Sequence, residues 1–212
     1  MSAMVNRLLR SLAAAALLLA CSSARADAYL DDWHPHQTYW SVGWESGFPM
    51  GTLQKDWVNT PGWLGGAFDV RVGVVGRLSV GIAGSWNWFS QTFPSITVVQ
   101  PQVTVTGPVY RRLSAFTLRA TTHYYLTQTA VQPYVGVGVG LVWADSFRQS
   151  SNLKDGSTMT ALAVGPEVGI LFNVVPRVAL YVMGRYEFTL ADFATVKHAQ
   201  WIAAQAGLAW YF

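Results

Sequence analysis

Apolar and polar residues alternate one by one along eight segments of the chain, a pattern typical of β-strands whose two faces meet different surroundings. No apolar run after residue 26 approaches the roughly 20 residues that a membrane helix needs, so strands of roughly 9 to 11 residues would do any membrane crossing. The alternating segments are residues 39–46, 66–75, 78–89, 113–125, 134–143, 161–172, 179–189 and 200–212.

The two faces of these segments differ in chemistry. One is uncharged and rich in Val, Leu, Ile and Trp, while the other carries Gly, Ala, Ser and Thr together with every carboxylate and guanidinium of the segments. An Arg on the lipid face of a barrel costs roughly 2 to 4 kcal/mol, so this segregation predicts an apolar outside and an interior of mutually paired charges. The predicted interior network is Glu45, Asp69, Arg71, Arg119, His123, Glu167, Arg185 and Glu187. We therefore expect an all-β fold, an eight-stranded antiparallel up-and-down transmembrane β-barrel over residues 39–212.

Aromatic residues on the outward faces cluster near the predicted strand ends, where amphipathic rings form membrane-interface girdles. The predicted interface aromatics are Trp40, Trp44, Trp86, Trp88, Trp143, Trp210 and Phe212. The alternative is a soluble β-sandwich with these aromatics in its core, which would place charged residues on the opposite, solvent-facing side. That side is mostly Gly, Ala, Ser and Thr, which favours the barrel.

The connections alternate in length, as in an up-and-down barrel with short turns at one end and long loops at the other. The segments 47–65, 90–112, 144–160 and 190–199 are predicted to be long loops, with all three lysines in loops, and 76–77, 126–133 and 173–178 to be short turns. Segment 90–112 contains apolar stretches at 96–99 and 103–105 that predict a hairpin continuing beyond the membrane. Pro166 lacks an amide donor, so we expect a bulge or local break in its strand.

The beginning of the chain predicts export. Arg7 and Arg10 precede the apolar run 12–20, and residues 24–26 read Ala-Arg-Ala, so residues 1–26 are interpreted as a secretory signal peptide and 27–38 as an N-terminal periplasmic segment. A competing interpretation takes residues 18–21 as a lipobox whose Cys21 is acylated. Cys21 is the only cysteine, so cleavage after residue 26 would leave no thiol for a disulfide.

Export changes the meaning of the net charge. The formal charge is +3, from 14 basic and 11 acidic residues, but Arg7, Arg10 and Arg25 belong to the predicted signal peptide. The remaining chain is neutral. Nucleic-acid binding requires a clustered excess of Lys and Arg, so no nucleic-acid partner is expected.

Several segments resemble a known group of proteins. The export signal, Ser46-Gly47 leading to Pro49, the stretch 132–138 (QPYVGVG) and the closing Phe212 are similar to the small bacterial outer-membrane β-barrel superfamily that includes the OmpA transmembrane domain and OmpW-like proteins. The resemblance implies a place in the outer membrane, contact with its lipid and lipopolysaccharide, and recognition of the last strand by the barrel insertion machinery. It leaves function open, because members include structural barrels, adhesins, narrow channels and some lipid-modifying enzymes.

Motifs for chemistry are weak. His123 is the sole histidine in a predicted strand and has no serine at a nearby same-face position of that strand, so no catalytic residue is assigned. His34 and His36 lack a third ligand, and Asp145, Asn152 and Asp155 lack the calcium-loop spacing, so no metal or cofactor is expected. Glycines 136, 138 and 140 lie within a strand with no helix after them, which argues against a phosphate-binding loop.

Two interpretations of function follow. In the favoured one, paired charges fill the interior and the protein has a non-enzymatic structural or surface-interaction role, with an extracellular ligand that the sequence does not identify. In the other, the small inner residues leave a narrow OmpW-like channel for small or apolar solutes. The glycines that would line such a channel are Gly73, Gly81, Gly136, Gly138, Gly140 and Gly207. A lipid A modifying enzyme is a third, less favoured alternative.

Overall fold

A computed structural model describes residues 38–100, 103–150, 153–192 and 196–212. Several predictions fall outside these ranges: the signal peptide with Cys21, residues 27–37 of the N-terminal segment with His34 and His36, and Asn152. Within these ranges, eight strands and one short helix follow one another in the order β1, α1, β2 to β8. Their bounds are β1 Tyr39–Met50, α1 Gly51–Asp56, β2 Leu64–Val75, β3 Leu78–Gln100, β4 Val103–Tyr125, β5 Val131–Ser150, β6 Leu153–Val175, β7 Val178–Thr189 and β8 Gln200–Tyr211.

The eight strands form one closed antiparallel barrel in which each strand pairs with its neighbours in sequence. Pairing of β1 with β8, from Tyr39↔Tyr211 to Met50↔Gln200, completes the ring. Closure leaves no free edge around the ring, as a membrane-spanning sheet requires. The predicted eight-stranded up-and-down transmembrane β-barrel is confirmed.

The ring has two unlike ends. The turn end carries the short connections at residues 76–77, 126–130 and 176–177, together with the start of β1 and the finish of β8. The loop end carries α1 and the far ends of the β3–β4 and β5–β6 hairpins. The turn at residues 76–77 lies where it was predicted, whereas the predicted turns 126–133 and 173–178 are shorter in the structure because β5, β6 and β7 extend into them.

Four strands continue well beyond the ring at the loop end. The register Phe89↔Leu113↔Ser146↔Ser157 marks where they leave it, and beyond this line residues 89–100, 103–113, 146–150 and 153–157 form what we call the projecting sheet. The predicted loops 90–112 and 144–160 are therefore wrong over most of their length, while the hairpin continuation around 96–105 is confirmed. Lys154 lies in β6 and Lys55 in α1, so the loop prediction is wrong for both.

Pro166 interrupts pairing without bending the strand out of register. It pairs with Val137 of β5, and on the β7 side the pairs Val164↔Phe188 and Glu167↔Arg185 flank a gap in an unchanged register. A proline has no N–H to donate to β7, which accounts for the gap. The predicted local break is confirmed on that side, whereas the bulge occurs near the turn end, between Asn173 and Val175.

The outside of the ring is an apolar belt bounded by aromatic side chains. Valine, leucine and isoleucine side chains, such as Val137 at 52% exposure, point outward from every strand of the ring. At the turn end Trp40 stacks on Trp210 with ring centroids 4.4 Å apart. At the loop end the Trp86 Nε1–H donates to Ser114 Oγ at 2.8 Å and that of Trp44 to the Trp63 carbonyl at 2.8 Å. Within the described ranges, no helix is both long and apolar enough to cross a bilayer.

Candidate functional site

The interior of the ring holds a series of ion pairs and close polar contacts, which we call the ionic chain. Its members are contributed by β1, β2, β4, β6 and β7, and each sits at an inward position of the two-residue strand period. In order along the series they are Glu45, Arg185, Glu187, Arg119, Glu167, His123, Arg71 and Asp69. The structure therefore brings together all eight residues of the predicted interior network.

The half of the ionic chain that lies nearer the loop end is centred on Arg185. Its Nη2 donates to Glu45 Oε1 at 3.1 Å and its Nε to Glu187 Oε2 at 2.7 Å. The same Glu187 oxygen accepts from Arg119 Nη1 at 3.0 Å. Each of these side chains is almost completely buried. Charges removed from water require this kind of reciprocal pairing, since an unpaired one would cost several kcal/mol, on the order of the desolvation penalty of a single ion.

The other half runs toward the turn end. Arg119 Nη1 lies 3.2 Å from Glu167 Oε1, and the second oxygen of Glu167 lies 2.7 Å from His123 Nε2. Arg71 donates from Nε to Asp69 Oδ2 at 3.0 Å and lies 3.2 Å, through Nη2, from His123 Nε2. Because an arginine has no acceptor, the His123 Nε2–H is assigned to the shorter contact with Glu167. The imidazole is stacked on Tyr134 at 4.3 Å.

Neutral polar residues complete this network, and the sequence analysis did not select them. Asn87 and Gln205 donate from their side-chain amides to Glu45. Ser85 accepts from Arg185 at 2.9 Å and Thr121 from Arg71 at 2.7 Å. The signal that could have identified them was their inward position beside the charged residues. Each adds a hydrogen bond to a charged atom that already takes part in a contact between two charged residues.

Apolar layers cover the ionic chain on both sides. At the loop end, buried side chains from α1, the loop after it and neighbouring strands form the apolar cap, which includes Leu53, Trp57, Val58, Phe89, Leu113 and Trp201. At the turn end the tyrosine layer consists of Tyr39, Tyr125, Tyr134, Tyr181 and Tyr211 with Leu171 and Met183. Tyr39 and Tyr125 share a hydroxyl hydrogen bond of 2.9 Å. The bore is thus filled in three layers: apolar, ionic and aromatic.

The inward glycines accommodate these filling side chains. A Cβ at Gly140 would lie 2.6 Å from both Cα and Cγ of Arg119, and one at Gly136 would meet the ring of His123. A cavity of about 20 Å³ lies beside Asp69, Arg71, His123 and Glu167, which is room for roughly a single water molecule. The glycines therefore make space that Arg119 and His123 occupy.

Two arrangements that could support chemistry are a nucleophile beside a base and a cluster of metal ligands. Ser79 lies across from His123 in the β3–β4 register, yet its hydroxyl accepts from Arg71 Nη1 at 3.4 Å and both residues are buried beneath the tyrosine layer. A nucleophile needs a neighbouring base and a path for substrate, and this pair has no such path. Among the described residues, no cluster of three or more His, Cys, Asp or Glu could hold a metal ion.

The predicted interface aromatics lie in two groups on the outside. Trp40, Trp210 and Phe212 are at the turn end, whereas Trp44, Trp86, Trp88 and Trp143 are at the loop end. Outward charge begins just beyond the second group, where Arg112 lies over the Trp88 ring at 4.9 Å and pairs with Asp145 at 3.1 Å. An apolar band between two groups of aromatic residues is typical of outer-membrane barrels.

A closed eight-stranded barrel with a charged, filled interior and an apolar belt defines a class: the small outer-membrane β-barrels. No protein-family model matches the sequence, and no curated protein matches it either. Solved structures do match in fold. Neisserial surface protein A is 16% identical, with a TM-score of 0.55 over 84% of this chain and 98% of that one.

Two further solved structures share the fold. The attachment invasion locus protein Ail of Yersinia pestis is 13% identical, with a TM-score of 0.52 over 84% of this chain and 99% of that one. OprG of Pseudomonas aeruginosa is 11% identical, with a TM-score of 0.50 over 84% of this chain and 96% of that one. At such low identity the likeness establishes the fold, and the role of the chain has to be argued from its own side chains.

Proposed function

We propose that this chain is a non-conducting, non-enzymatic protein of the bacterial outer membrane that acts as a structural and surface-interaction element through its loop end. The observation that carries the proposal is the three-layer filling of the bore. An interior of eight strands is just wide enough for side chains to occupy, and here arginines, carboxylates and aromatic rings occupy it.

The apolar belt supports the membrane location. Its outward faces carry no charge until Arg112 and Asp145, which lie beyond the girdle at the loop end. In this proposal the belt contacts outer-membrane lipid and the loop-end girdle contacts lipopolysaccharide. The terminal strand β8, which ends in Trp210 and Tyr211 and is followed by Phe212, is recognised by the barrel insertion machinery. Export by the predicted signal peptide belongs to the same proposal.

The projecting sheet supports the surface role. It extends the barrel away from the membrane on paired strands, so its side chains are presented on a defined scaffold. Ail, which has the same fold, has been solved in complex with the heparin analogue sucrose octasulfate. By analogy, we place the interaction surface of this chain at its loop end.

The alternative functions have less support. A narrow channel would need free space above the inner glycines, and Arg119 and His123 occupy the space above Gly140 and Gly136. A lipid-modifying enzyme would need an accessible base, and His123 is enclosed between Glu167, Arg71 and Tyr134.

Planar-bilayer recording of the refolded protein tests the filled bore. The wild-type protein is expected to give no steady single-channel current in several salts. The double variant Arg119→Ala, Arg185→Ala removes the two guanidiniums at the centre of the ionic chain. Current through it would identify the ionic chain as the main barrier, whereas a silent double variant would show that the apolar cap and the tyrosine layer are enough to seal the bore. Arg177→Ala, in the turn between β6 and β7, is the matched control and should remain silent. Steady currents through the wild-type protein would overturn the proposal in favour of a channel.

Fractionation of cells tests the location. The protein should be found with the outer membrane and should migrate faster on gels before boiling than after it, because a closed barrel resists detergent unfolding. Recovery of the protein in a soluble fraction would contradict the membrane assignment. The boiling test also shows whether the conductance variants are folded.

A further inference from the structure

Two arginines face each other in the projecting sheet. Arg111 of β4 and Arg148 of β5 are direct partners in the antiparallel register, and both lie on the inner face of that sheet. Side chains at such positions have Cβ atoms roughly 4.5 to 5.5 Å apart, and like charges placed there are destabilising. The sheet therefore carries a local cost that its own structure does not explain.

Both guanidiniums are held against aromatic rings. Arg111 Cζ lies 5.4 Å from the ring centroid of Trp57 and 4.8 Å from that of Phe93, and Arg148 Cζ lies 5.5 Å from Trp57. Arg111 Nη1 also donates to the backbone carbonyls of Asp56 at 2.9 Å and Trp57 at 3.3 Å. The Nε atoms of both arginines are buried and have no hydrogen-bond acceptor among the described residues. The aromatic contacts thus hold both guanidiniums in place, while the Nε–H donors of both arginines have no acceptor among the described residues.

Neither charge has a counterion in the part of the chain that the structure describes. Among the described residues, no carboxylate lies within ion-pair distance of Arg111 or Arg148, whereas the adjacent Arg112 pairs with Asp145. Asp155 stands opposite Arg148 in the β5–β6 register without forming an ion pair with it. Burial, and then repulsion by Arg148, lower the pKa of the Arg111 guanidinium. An anion bound between the two guanidiniums would offset both the burial of the Arg111 charge and its repulsion by Arg148.

We propose that Arg111 and Arg148 together form a binding site for an ester-linked sulfate or phosphate group at the loop end. Guanidinium groups present planar forks of N–H donors that match the oxygens of such groups, and two forks on adjacent strands can hold one tetrahedral anion. The half-buried ring of Phe93 borders the site and can contact the rest of the ligand. The site rests on the proposed function, because it must face the outside of the cell to meet such ligands.

Titration calorimetry on the full refolded chain in detergent micelles tests the site. The probes are sucrose octasulfate for the sulfate ester and inositol hexakisphosphate for the phosphate ester, with sucrose as the uncharged reference. The wild-type protein should bind at least one anionic probe and should not bind sucrose. Arg148→Gln should weaken that binding by roughly tenfold or more, as expected for the loss of a charge-assisted contact. Asp155→Asn should strengthen it, because the variant removes the carboxylate that stands opposite Arg148 in the register.

Controls separate a built site from general attraction. Arg177→Gln makes the same charge change at the turn end and should bind like the wild-type protein. The Arg111→Gln variant loses the side-chain bonds to Asp56 and Trp57 and could fail to fold for that reason. The Arg148 side chain makes no hydrogen bond to another described residue, so the Arg148→Gln variant carries the test in that case. The proposal is overturned if the wild-type protein binds neither probe, or if Arg148→Gln and Arg177→Gln weaken binding equally. Either result would rule out this anion site. If the wild-type protein also gives no current in the planar bilayer, the proposal of a filled bore still stands.

Discussion

The ring interior and the projecting sheet treat arginine in opposite ways. Inside the ring, Arg71, Arg119 and Arg185 each contact at least one carboxylate, and the contacts join into a single ionic chain. In the projecting sheet, Arg111 and Arg148 face each other, and no carboxylate of the described residues lies within ion-pair distance of either. The same residue type is neutralised where water is excluded and left uncompensated where the chain meets its surroundings.

The difference shows which part of the molecule is built for stability and which for contact. A buried charge must be paired, and removing one partner costs roughly 3 to 5 kcal/mol, so the ring interior tolerates little change. Half-exposed charges are screened by water and salt, so the projecting sheet can keep an unfavourable pair at small cost. The projecting sheet can therefore keep a ligand-binding surface at little cost in stability. Four comparisons between variants test this contrast.

The largest effect is expected for Arg185→Ala. The change leaves Glu45 and Glu187 buried without their central partner, and it should lower the free energy of unfolding by roughly 3 to 5 kcal/mol. Urea denaturation in lipid vesicles, followed by tryptophan fluorescence, measures the change. Arg177→Ala in a turn should have almost no effect. Equal stability of the Arg185→Ala variant and the wild-type protein would show that the ionic chain does not stabilise the ring.

The next effect concerns the outer faces of the two regions. Val137→Arg places a charge on the lipid face of the ring and should destabilise the protein by roughly 2 to 4 kcal/mol. Thr92→Arg makes a similar change on an exposed outward position of the projecting sheet and should cost less than about 1 kcal/mol. The same vesicle denaturation compares them. A cost at residue 92 as large as that at residue 137 would place the membrane boundary beyond the projecting sheet.

The third effect concerns packing against the inner face. Gly140→Ala puts a methyl group against the backbone carbonyl oxygen of Leu118 and against Cα and Cγ of Arg119, and should cost roughly 1 to 3 kcal/mol. Gly107→Ala is its counterpart on the inner face of the projecting sheet, where a Cβ meets no atom within 4 Å, and should be neutral or slightly stabilising. Unfolding midpoints of the two variants decide the comparison. If Gly140→Ala is tolerated as well as Gly107→Ala, there is free space in the bore and the channel interpretation gains support.

The smallest effect is a gain. Arg148→Thr removes the like-charge pair with Arg111 and should stabilise the protein by roughly 0.2 to 1 kcal/mol, while abolishing one half of the proposed anion site. Arg112→Thr is the matched control, since that arginine has Asp145 as a partner and its loss should be neutral or slightly destabilising. The opposite signs of the two changes would be seen in thermal melts at low salt. A loss of stability in Arg148→Thr would show that Arg148 already has a favourable role in the free protein.

Much of the ring could be predicted from the sequence, because the period of two is dictated by the strand itself. Alternation identifies the inward and outward faces of strands such as β2 and β5. Because eight segments of the chain alternate in this way, it also predicts an eight-stranded barrel. It cannot identify partners: that Arg185 contacts both Glu45 and Glu187 depends on closure of the ring, which joins residues far apart in the sequence. Pairing of this kind is a tertiary property.

The projecting sheet was largely missed, for a physical reason. Residues 90–112 and 144–160 contain Ser, Gln, Asn, Pro and Gly, which suggest loops, and their strands form because two hairpins pair with each other along β4 and β5. The cap residues Leu53 and Trp57 were missed because α1 is too short to show a helical period. Both the cap and the Arg111–Arg148 pair thus depend on contacts that local patterns do not reveal.

Thiol accessibility tests the filled bore most directly. In a Cys21→Ser background, single cysteines replace Ser85, buried in the ionic chain beside Arg185, or Ser157, exposed in the projecting sheet. With a charged methanethiosulfonate reagent on the folded protein, we predict rapid modification at residue 157 and none at residue 85 until the protein is unfolded. Modification of residue 85 in the folded protein as fast as that of residue 157 would contradict a sealed interior.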